Sequence, residues 1–473
     1  MSTRGIRSTA IGGITCAPAD RFMDPNDVRT AFTIAMSAMY RDEVPLYGDL
    51  VRIVRLINKD FLSRESQSEP QRLDLERHGA IRLGTPYELR TISRIFAVIG
   101  LRAVGYYDLS VAGLPMHATC FRPVDPASLN KNPFRVFTTL LRPELLSDDA
   151  ARTLATRLLA RRNIFSDRLL DLINTAESQD NRLTALQAEE FIAEAMKTFG
   201  WRPEASASEE EYRELAAEHP ILADIASFKS CHINHLTPRT LDIVASQRQM
   251  KEEGLRVKDR IEGPPPRQCP ILLRQTSFLA LEERIKFRNA EGALVDGTHR
   301  ARFGEIEERG AAVTPAGRKL YDELLEKAMS KYHALPDGHG PETMDKLLDE
   351  VFQEYPDCWV ELRRKGLIYC TYHRNGNPRL ETCLDTQSLE DLVCQGYLKA
   401  EPITYEDFLP FSAAGIFQSN LGSNERGMSR EERKPDKEGF ENALGCSLLS
   451  PDDLYRDIQR QSIERALGLG FVM

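Results

Sequence analysis

Long hydrophobic runs, an excess of positive charge and closely spaced cysteines are all missing from the 473-residue sequence. No stretch of about 18 uncharged apolar residues occurs, so no membrane-spanning helix is predicted. The net charge of −9 argues against bulk binding to nucleic acid or to an anionic membrane surface. The nine cysteines are scattered and include no C-x-x-C pair, which predicts reduced thiols in a cytoplasmic protein.

The overall composition is that of an ordinary globular protein. Hydrophobic residues make up 41% and charged residues 28% of the chain, whose length is enough for two or three subdomains. The first fifteen residues contain no apolar segment, so a secretory signal is not expected. Nothing in the sequence indicates an oligomeric state.

Histidine is scarce, with nine in the chain, and two of them belong to chemically suggestive segments with a strand pattern. His78 lies in a predicted strand at 77–83, and His235 lies in a predicted strand that runs into an amphipathic helix. A third predicted strand carries Glu305 and Glu307 on one face, because side chains alternate along a strand. Two imidazoles and a carboxylate from three separate strands are the ligand set of an open non-haem iron site.

The pattern alone leaves the choice of ligands open. His232 and His235 are three residues apart and would point to opposite faces of a continuous strand, so only one of them can be a ligand. Glu305 and Glu307 share a face, which leaves four combinations of ligands. Among the other histidines, His117 and His299 lie near the candidate site, His219, His333 and His339 are predicted to be solvated, and His373 lies beside a predicted turn.

The order of the predicted elements indicates an α+β protein. Its five segments are an N-terminal helical segment at 1–70, a first βαβββ module at 71–145, a helical insertion at 146–225, a second βαβββ module with metal ligands at 226–325, and a C-terminal region of helices and loops at 326–473 that closes the pocket. The insertion is expected to act as a lid or as packing, without chemistry of its own. In the last segment, residues 359–362 and 367–374 are predicted to form a hairpin.

Paired modules with metal ligands on their strands resemble the vicinal oxygen chelate superfamily. This resemblance implies paired βαβββ modules that form a curved sheet around a metal site, here with large helical insertions. Residues 303–309 read Phe-Gly-Glu-Ile-Glu-Glu-Arg. They resemble the Phe-x-Glu-Ile-x-x-Arg strand of the 4-hydroxyphenylpyruvate dioxygenases, in which the glutamate is the iron ligand. The resemblance therefore selects Glu305.

Three short motifs in order resemble the 2-oxoadipate dioxygenase/decarboxylase family over nearly the whole chain. They are His-Gly-Ala-Ile-Arg at 78–82, Asn-His-Leu-Thr-Pro-Arg at 234–239 and Gly-Glu-Ile-Glu at 304–307. The resemblance implies an Fe(II) enzyme of lysine breakdown that converts 2-oxoadipate and O2 into 2-hydroxyglutarate and CO2. It also implies that His78, His235 and Glu305 are the metal ligands and catalytic residues.

A substrate of this kind is a dianion and needs a cationic group to orient it. Arg82 lies four residues after His78 on the same face of the predicted strand, so we predict that it binds the far carboxylate. The small-residue loop that contains Phe411 and Ser412 is predicted to close the pocket and to bind the substrate. The next candidates for the cationic role are Arg239, Arg300 and Arg302.

Two further expectations concern the surroundings of the site and the rival functions. Asn234, Glu307 or His299 is expected to accept the second ring N–H of a ligand histidine. The alternatives are another metal-dependent enzyme of the same fold, either a glyoxalase-like isomerase or an extradiol-type dioxygenase, and a non-catalytic binding protein. Oxygen consumption with a 2-oxo acid separates the expected enzyme from a glyoxalase-like one, whose chemistry needs no O2.

Overall fold

Two consecutive helices open the part of the chain that the structure describes. The structure is a computed structural model that describes residues 21–65, 72–289, 291–335, 340–376, 388–409 and 434–468. Helices α1 (Pro25–Glu43) and α2 (Pro45–Arg64) each begin with a proline, whose fixed φ suits the first turn. Across the described ranges, no helix has both the length and the apolar character needed to cross a membrane.

The centre of the fold is a five-stranded sheet that supplies two of the three candidate ligands. Its strands are β1 (Arg77–Leu83), β2 (Arg102–Asp108), β3 (Met116–Arg122), β4 (Arg135–Leu141) and β5 (His235–Pro238), in the order β2-β3-β4-β1-β5. Strand β1 pairs in parallel with β4 and antiparallel with β5. Helix α3 (Pro86–Val98) joins β1 to β2, and the short helix α4 (Pro126–Lys131) joins β3 to β4. These elements include the predicted series of strand, helix and three strands, with the short helix α4 added between the last two strands.

The predicted insertion is helical. It contains α5 (Asp149–Ala160), α6 (Asp167–Ser178), α7 (Ala185–Phe199), α8 (Glu209–Glu218) and α9 (Pro220–Ala226). Capping boxes at Thr184 and Ser208 begin α7 and α8. Each hydroxyl accepts the backbone N–H of the residue three positions later, and the side chain of that residue accepts the backbone N–H of the capping residue. Helix α9 then leads the chain directly towards β5.

The second module is less regular than the first. It contains α10 (Ile243–Glu252), β6 (Leu273–Ser277), β7 (Glu283–Arg288), β8 (Leu294–His299) and β9 (Glu305–Arg309). Strand β6 pairs with β9, and β7 pairs with β8. An isolated parallel bridge between Arg239 and Glu307 links the end of β5 to β9. This bridge brings the third candidate ligand beside the five-stranded sheet.

The C-terminal region packs helices and one hairpin against the sheet. It contains α11 (Pro315–His333), α12 (Pro341–Val351), α13 (Trp359–Arg364), β10 (Cys370–Arg374), α14 (Leu389–Cys394), β11 (Leu398–Pro402), α15 (Lys437–Leu444) and α16 (Pro451–Leu467). The hairpin predicted from residue 359 is wrong, because β10 pairs with β11 instead. Residues 359–364 form helix α13, which buries the side chain of Leu362. Gly366, with a left-handed backbone (φ 61°), follows the end of this helix.

One hydrophobic cluster draws residues from all five predicted segments. It includes Phe32, Ile81, Leu172, Ile306 and Phe440, all of them buried. Side chains that are distant in sequence thus share one core, and burial of their apolar surface stabilises the segments together. We propose that the five segments describe the order of elements and are not separate folding units.

Candidate active site

Three side chains that the sequence singled out lie together in the interior. His78 from β1, His235 from β5 and Glu305 from β9 place ligand atoms within 4.8 Å of one another. Nε2 of His78 lies 3.1 Å from Oε1 of Glu305, and the two imidazole rings are 5.2 Å apart at 86°. All three side chains are buried. Three strands therefore bring two imidazoles and one carboxylate to one point.

The pairing of β1 with β5 explains why the two imidazoles meet. Ala80 is the partner of His235 across these antiparallel strands, two residues from His78 on the same face. Gly79 permits this close approach, because an added Cβ would lie 2.7 Å from the side chain of Ile233. A larger residue at position 79 would require the side chain of Ile233 to move and would press on the carbonyl oxygen of His235, 3.3 Å from the added Cβ.

Hydrogen bonds around His235 and Glu305 leave one ligand atom of each facing the site. The Thr237 hydroxyl donates to Oε1 of Glu305 (3.2 Å) and lies 3.0 Å from Nδ1 of His235. Because the hydroxyl proton goes to Glu305, its oxygen accepts the Nδ1 proton of His235, and the lone pair stays on Nε2. The Gln275 amide also donates to Oε1 (2.6 Å). Among the described residues, Nε2 of His235 and Oε2 of Glu305 have no hydrogen-bond partner.

The electrostatics differ among the three candidate ligands. Burial alone would lower the pKa of His78, but Glu307 and Glu305 outweigh it and raise that pKa. Burial lowers the pKa of His235 well below its usual value, and the neighbouring His78 and Arg82 lower it further, so the imidazole is neutral. Burial raises the pKa of Glu305, an effect that His78 opposes. A buried carboxylate oxygen and a buried imidazole nitrogen without partners are costly groups that a bound cation would satisfy. The donor set therefore fits a divalent metal.

Glu307 orients His78. Its Oε2 lies 2.9 Å from Nδ1 of His78, and Arg309 binds both of its oxygens at 2.9 and 2.8 Å. Burial alone would raise the pKa of Glu307, but Arg309, His78 and Arg135 outweigh it and keep the carboxyl ionised. Nε2 of His78 is thereby turned towards Glu305. Of the three partners that the sequence suggested, Glu307 is the one in contact with this histidine.

Sequence reasoning missed Thr237 and Gln275. Thr237 is two residues after His235 on one strand, so the alternation of side chains was a usable signal for it. Gln275 lies on β6, which pairs with β9, and no pattern in the sequence indicates that pairing. Asn234, one of the suggested partners, instead approaches Asp224 at 3.4 Å.

His232 and His299 belong to a second buried group, around Asp224. Nε2 of His232 lies 3.1 Å, and Nε2 of His299 2.8 Å, from Oδ1 of Asp224. The prediction of a continuous strand through His232 is wrong, because β5 begins only at His235. The two histidines nevertheless separate into different groups, with His232 packed 4.6 Å from the ring of Trp201.

The remaining described histidines lie apart from the site. The ring of His117 packs 4.7 Å from that of Phe440, and burial lowers the pKa of His117 to about 4. The prediction that His219 is solvated is wrong, because it is half-buried and its Nδ1 accepts the backbone N–H of Ile221 at the start of α9 (3.1 Å). His333 and His373 are exposed, and His339 lies outside the described residues.

Arg82 lies on the same strand as His78 and is held by an acidic partner. Its Nη1 donates to Oδ2 of Asp224 at 2.6 Å, and 11% of the side chain is exposed. Its positive charge is one of the causes that lower the pKa of His235. Because the bond to Asp224 uses one terminal nitrogen, the guanidinium keeps donors for a second carboxylate.

The other candidate arginines are engaged elsewhere. Nη1 of Arg239 donates to Glu76 (3.0 Å), which also accepts from Arg72 (3.0 Å) and Arg135 (2.9 Å) in a buried ionic network. Arg300 is at the surface and binds Glu282, whereas Arg302 is buried against Glu283 and Glu43. None of these contacts directs a guanidinium at the three ligand side chains.

Phe411 and Ser412 lie outside the described residues, but the segment that leads to them is fixed beside the site. The ring of Phe408 is 4.9 Å from the ring of His78. Asp407 is bound through both oxygens by the buried Arg122, at 2.7 and 3.0 Å. Phe408, next to the last residue of this described range, therefore lies beside a candidate ligand.

An α+β fold in which three strands bring two histidines and one glutamate together defines a class of protein with a candidate metal site. Within this class, the chain belongs to the 2-oxoadipate dioxygenase/decarboxylase family, whose sequence model matches residues 32–420. The resemblance carried by the three motifs is thus confirmed.

Curated relatives and a solved structure support the assignment along nearly the full chain. The 2-oxoadipate dioxygenase/decarboxylase of Pseudomonas putida is 45% identical over 466 residues, which are 96% of this chain and 99% of that protein. The protein of the same name from Escherichia coli is 46% identical over 454 residues, 94% of this chain and 98% of that one. The crystal structure of the hydroxyglutarate synthase from Pseudomonas putida in complex with 2-oxoadipate matches with a TM-score of 0.84 and 44% identity, covering 95% of this chain and 100% of that one.

Proposed function

We propose that this protein is an Fe(II)-dependent dioxygenase that decarboxylates 2-oxoadipate, with O2 as the second substrate and 2-hydroxyglutarate and CO2 as products. The observation that carries the proposal is the buried group of His78, His235 and Glu305, in which Nε2 of His235 and Oε2 of Glu305 lack hydrogen-bond partners among the described residues. The Pseudomonas putida structure with 2-oxoadipate supports the choice of substrate. A role in lysine breakdown and a cytoplasmic location are part of the proposal.

The donor set favours iron among the common metals. Two histidines and one carboxylate with open positions form the usual ligand set of non-haem Fe(II) oxygenases. When bound, the iron would supply a centre that takes up the 2-oxo acid group and activates O2. The protein's part is to hold the ligand atoms: Thr237 and Gln275 fix Glu305, and Glu307 fixes His78.

The protein side chains also orient the substrate and exclude water. In the overall reaction the C1–C2 bond of 2-oxoadipate breaks, C1 leaves as CO2, and the two atoms of O2 enter the new carboxylate and the new hydroxyl group. Arg82 holds the far carboxylate, so that the chain undergoing hydroxylation stays in place. The rings of Phe303 and Phe408 lie 4.8 Å from His235 and 4.9 Å from His78, and they keep water from the ligands.

An oxygen-electrode assay tests the function. Protein purified without oxygen and loaded with Fe(II) is expected to consume one O2 for each CO2 and each 2-hydroxyglutarate formed from 2-oxoadipate. Protein stripped by a chelator, or loaded with Zn(II), is expected to be inactive and to recover only with Fe(II). Turnover of substrate without oxygen uptake would favour a glyoxalase-like isomerase, and binding without turnover would favour a non-catalytic protein.

Replacing Glu307 tests the contact between its carboxylate and Nδ1 of His78, which are 2.9 Å apart. Glu307→Gln is expected to weaken Fe(II) binding by about ten- to a hundred-fold, the usual effect of losing the carboxylate partner of a ligand histidine. The measurement is a metal titration under nitrogen. The matched control is Glu308→Gln on the opposite face of the same strand, where the carboxylate binds Arg274. Equal affinities of the two variants would contradict the role of Glu307.

A further inference from the structure

A chain of hydrogen bonds runs from the helical insertion to Arg82. The Tyr212 hydroxyl lies 2.7 Å from Nδ1 of His299, and Nε2 of His299 lies 2.8 Å from Oδ1 of Asp224. Oδ2 of Asp224 accepts from Nη1 of Arg82 at 2.6 Å. An ionised carboxylate only accepts, so Nε2 of His299 carries the proton and Nδ1 accepts from Tyr212. The whole chain has one consistent set of proton positions.

The charges along this chain balance. Burial alone would raise the pKa of Asp224, but His232 and Arg82 outweigh it and hold the carboxyl ionised. Asp224 and Arg82 thus form a nearly buried ion pair, with 4% and 11% of their side chains exposed. Such a pair is costly to bury and holds its geometry only when further hydrogen bonds complete it, which His299 and Asn234 do here.

The same group has the donors of a metal site, but the ion pair argues against that use. Asp224, His232 and His299 place ligand atoms within 4.8 Å of one another. Arg82 already occupies the second oxygen of Asp224. A divalent cation would add two positive charges next to a guanidinium in the interior, with one carboxylate to offset all three. The arrangement suits the positioning of an arginine better than the binding of a metal.

We propose that Asp224, supported by His299 and Tyr212, is a positioning residue that aims the Arg82 guanidinium at the far carboxylate of the substrate. This inference rests on the proposed function. Tyr212 lies on α8 and Asp224 on α9, so the helical insertion takes part in substrate recognition. Asp224 also accepts from Asn234, the neighbour of the ligand His235. The guanidinium is therefore fixed relative to His78, His235 and Glu305. The distance between the guanidinium and this ligand group selects the chain length of the 2-oxo dicarboxylate.

The test compares substrates with and without the far carboxylate. Asp224→Asn keeps the shape of the side chain and removes its charge. We expect KM for 2-oxoadipate to rise by about ten- to a hundred-fold, as for loss of a hydrogen bond to a charged group. Iron content and turnover of 2-oxohexanoate, which lacks the second carboxylate, are expected to match the wild type. Asp171→Asn is the matched control, at an exposed position on α6 of the same insertion. It is expected to change neither the KM for 2-oxoadipate nor the turnover of 2-oxohexanoate.

A second variant keeps the charge and moves it. Asp224→Glu is expected to restore part of the affinity for 2-oxoadipate. It is also expected to shift the ratio of kcat/KM values towards 2-oxoglutarate, because the longer side chain displaces the guanidinium. A purely structural role of Asp224 would lower activity on all 2-oxo acids equally. If Asp224→Asn does not fold, the chain-length preference of Asp224→Glu decides, and an unchanged preference overturns the proposal.

The outcomes separate this proposal from the function on which it rests. If the wild-type protein does not consume O2 with 2-oxoadipate, the proposed function itself is wrong. The second outcome is an active wild type, an inactive Arg82→Ala variant and an unchanged KM for 2-oxoadipate in Asp224→Asn. That outcome supports the function and overturns the positioning role of Asp224. Two equivalents of bound metal in the wild type, with one lost in Asp224→Asn, would show a second metal site and would also overturn it.

Discussion

Glu305→Gln is expected to lose its iron and all measurable oxygen consumption with 2-oxoadipate. The amide is a neutral and much weaker ligand than the carboxylate, and Glu305 supplies the one carboxylate of the group with His78 and His235. The fall in metal affinity should exceed the roughly hundred-fold upper range for loss of an outer hydrogen-bond partner. Activity should fall with it, because the chemistry depends on the metal.

The fold should survive this change, so the effect can be assigned to the metal. Burial raises the pKa of Glu305, which means that its ionised form is destabilised in the metal-free protein. A neutral isostere removes that cost, and the Tm of metal-free Glu305→Gln should be no lower than that of metal-free wild type. Metal content after anaerobic loading is the measurement. Full iron content in Glu305→Gln, together with its loss in Glu307→Gln, would move the ligand role to Glu307.

Arg82→Ala is expected to keep its iron and to lose most of its activity on 2-oxoadipate. Loss of a charge-assisted pair with the far carboxylate should lower kcat/KM by about 2–5 kcal/mol in free-energy terms. Arg82→Lys should recover only part of this, because an ammonium group cannot make the two parallel bonds of a guanidinium. The measurement is kcat/KM for 2-oxoadipate against 2-oxohexanoate, with iron content determined on the same samples.

A matched double variant separates recognition from stability in this experiment. Arg82→Ala leaves Asp224 buried without its cationic partner, and an uncompensated buried charge lowers stability. Arg82→Ala combined with Asp224→Asn should therefore regain Tm without regaining activity on 2-oxoadipate. If Arg82→Ala alone retains the wild-type kcat/KM, the carboxylate is bound elsewhere, and Arg239, Arg300 and Arg302 are the next positions to test.

The first module was predictable because its signals are local. Thr85 caps α3, Pro86 is its first residue, and the left-handed Gly100 follows its end, so the boundaries could be placed from neighbouring residues alone. The stretch before β5 was not predictable in this way. The N–H of Ile233 donates to Phe199 at 3.0 Å, a partner on a distant helix that no alternation of side chains reveals. Local pattern determines an element only where local contacts dominate it.

The candidate site shows the same division. Three motifs were enough to select His78, His235 and Glu305, which the structure brings together, whereas the metal-ligand role stays a prediction. No motif or spacing in the sequence marks Asp224 as part of the site. It lies in the helical insertion, which was expected to have no chemistry of its own. Its hydrogen bond with Arg82 joins α9 to β1, two elements that are far apart in the sequence. Residues that orient others through long-range packing cannot be found from spacing.

Strand β1 carries both His78 and Arg82, so under the proposed function it sets the distance between the groups that hold the two ends of the substrate. At about 3.3 Å per residue, four steps separate the two Cα atoms by about 13 Å along the strand. Insertion or deletion of one residue between them would turn one side chain to the opposite face, and a change of two would alter the spacing by about 6.6 Å. Neither step matches the length of one methylene group. A change of substrate preference by one methylene group therefore requires substitutions in the side chains that aim the guanidinium, with the length of β1 kept unchanged.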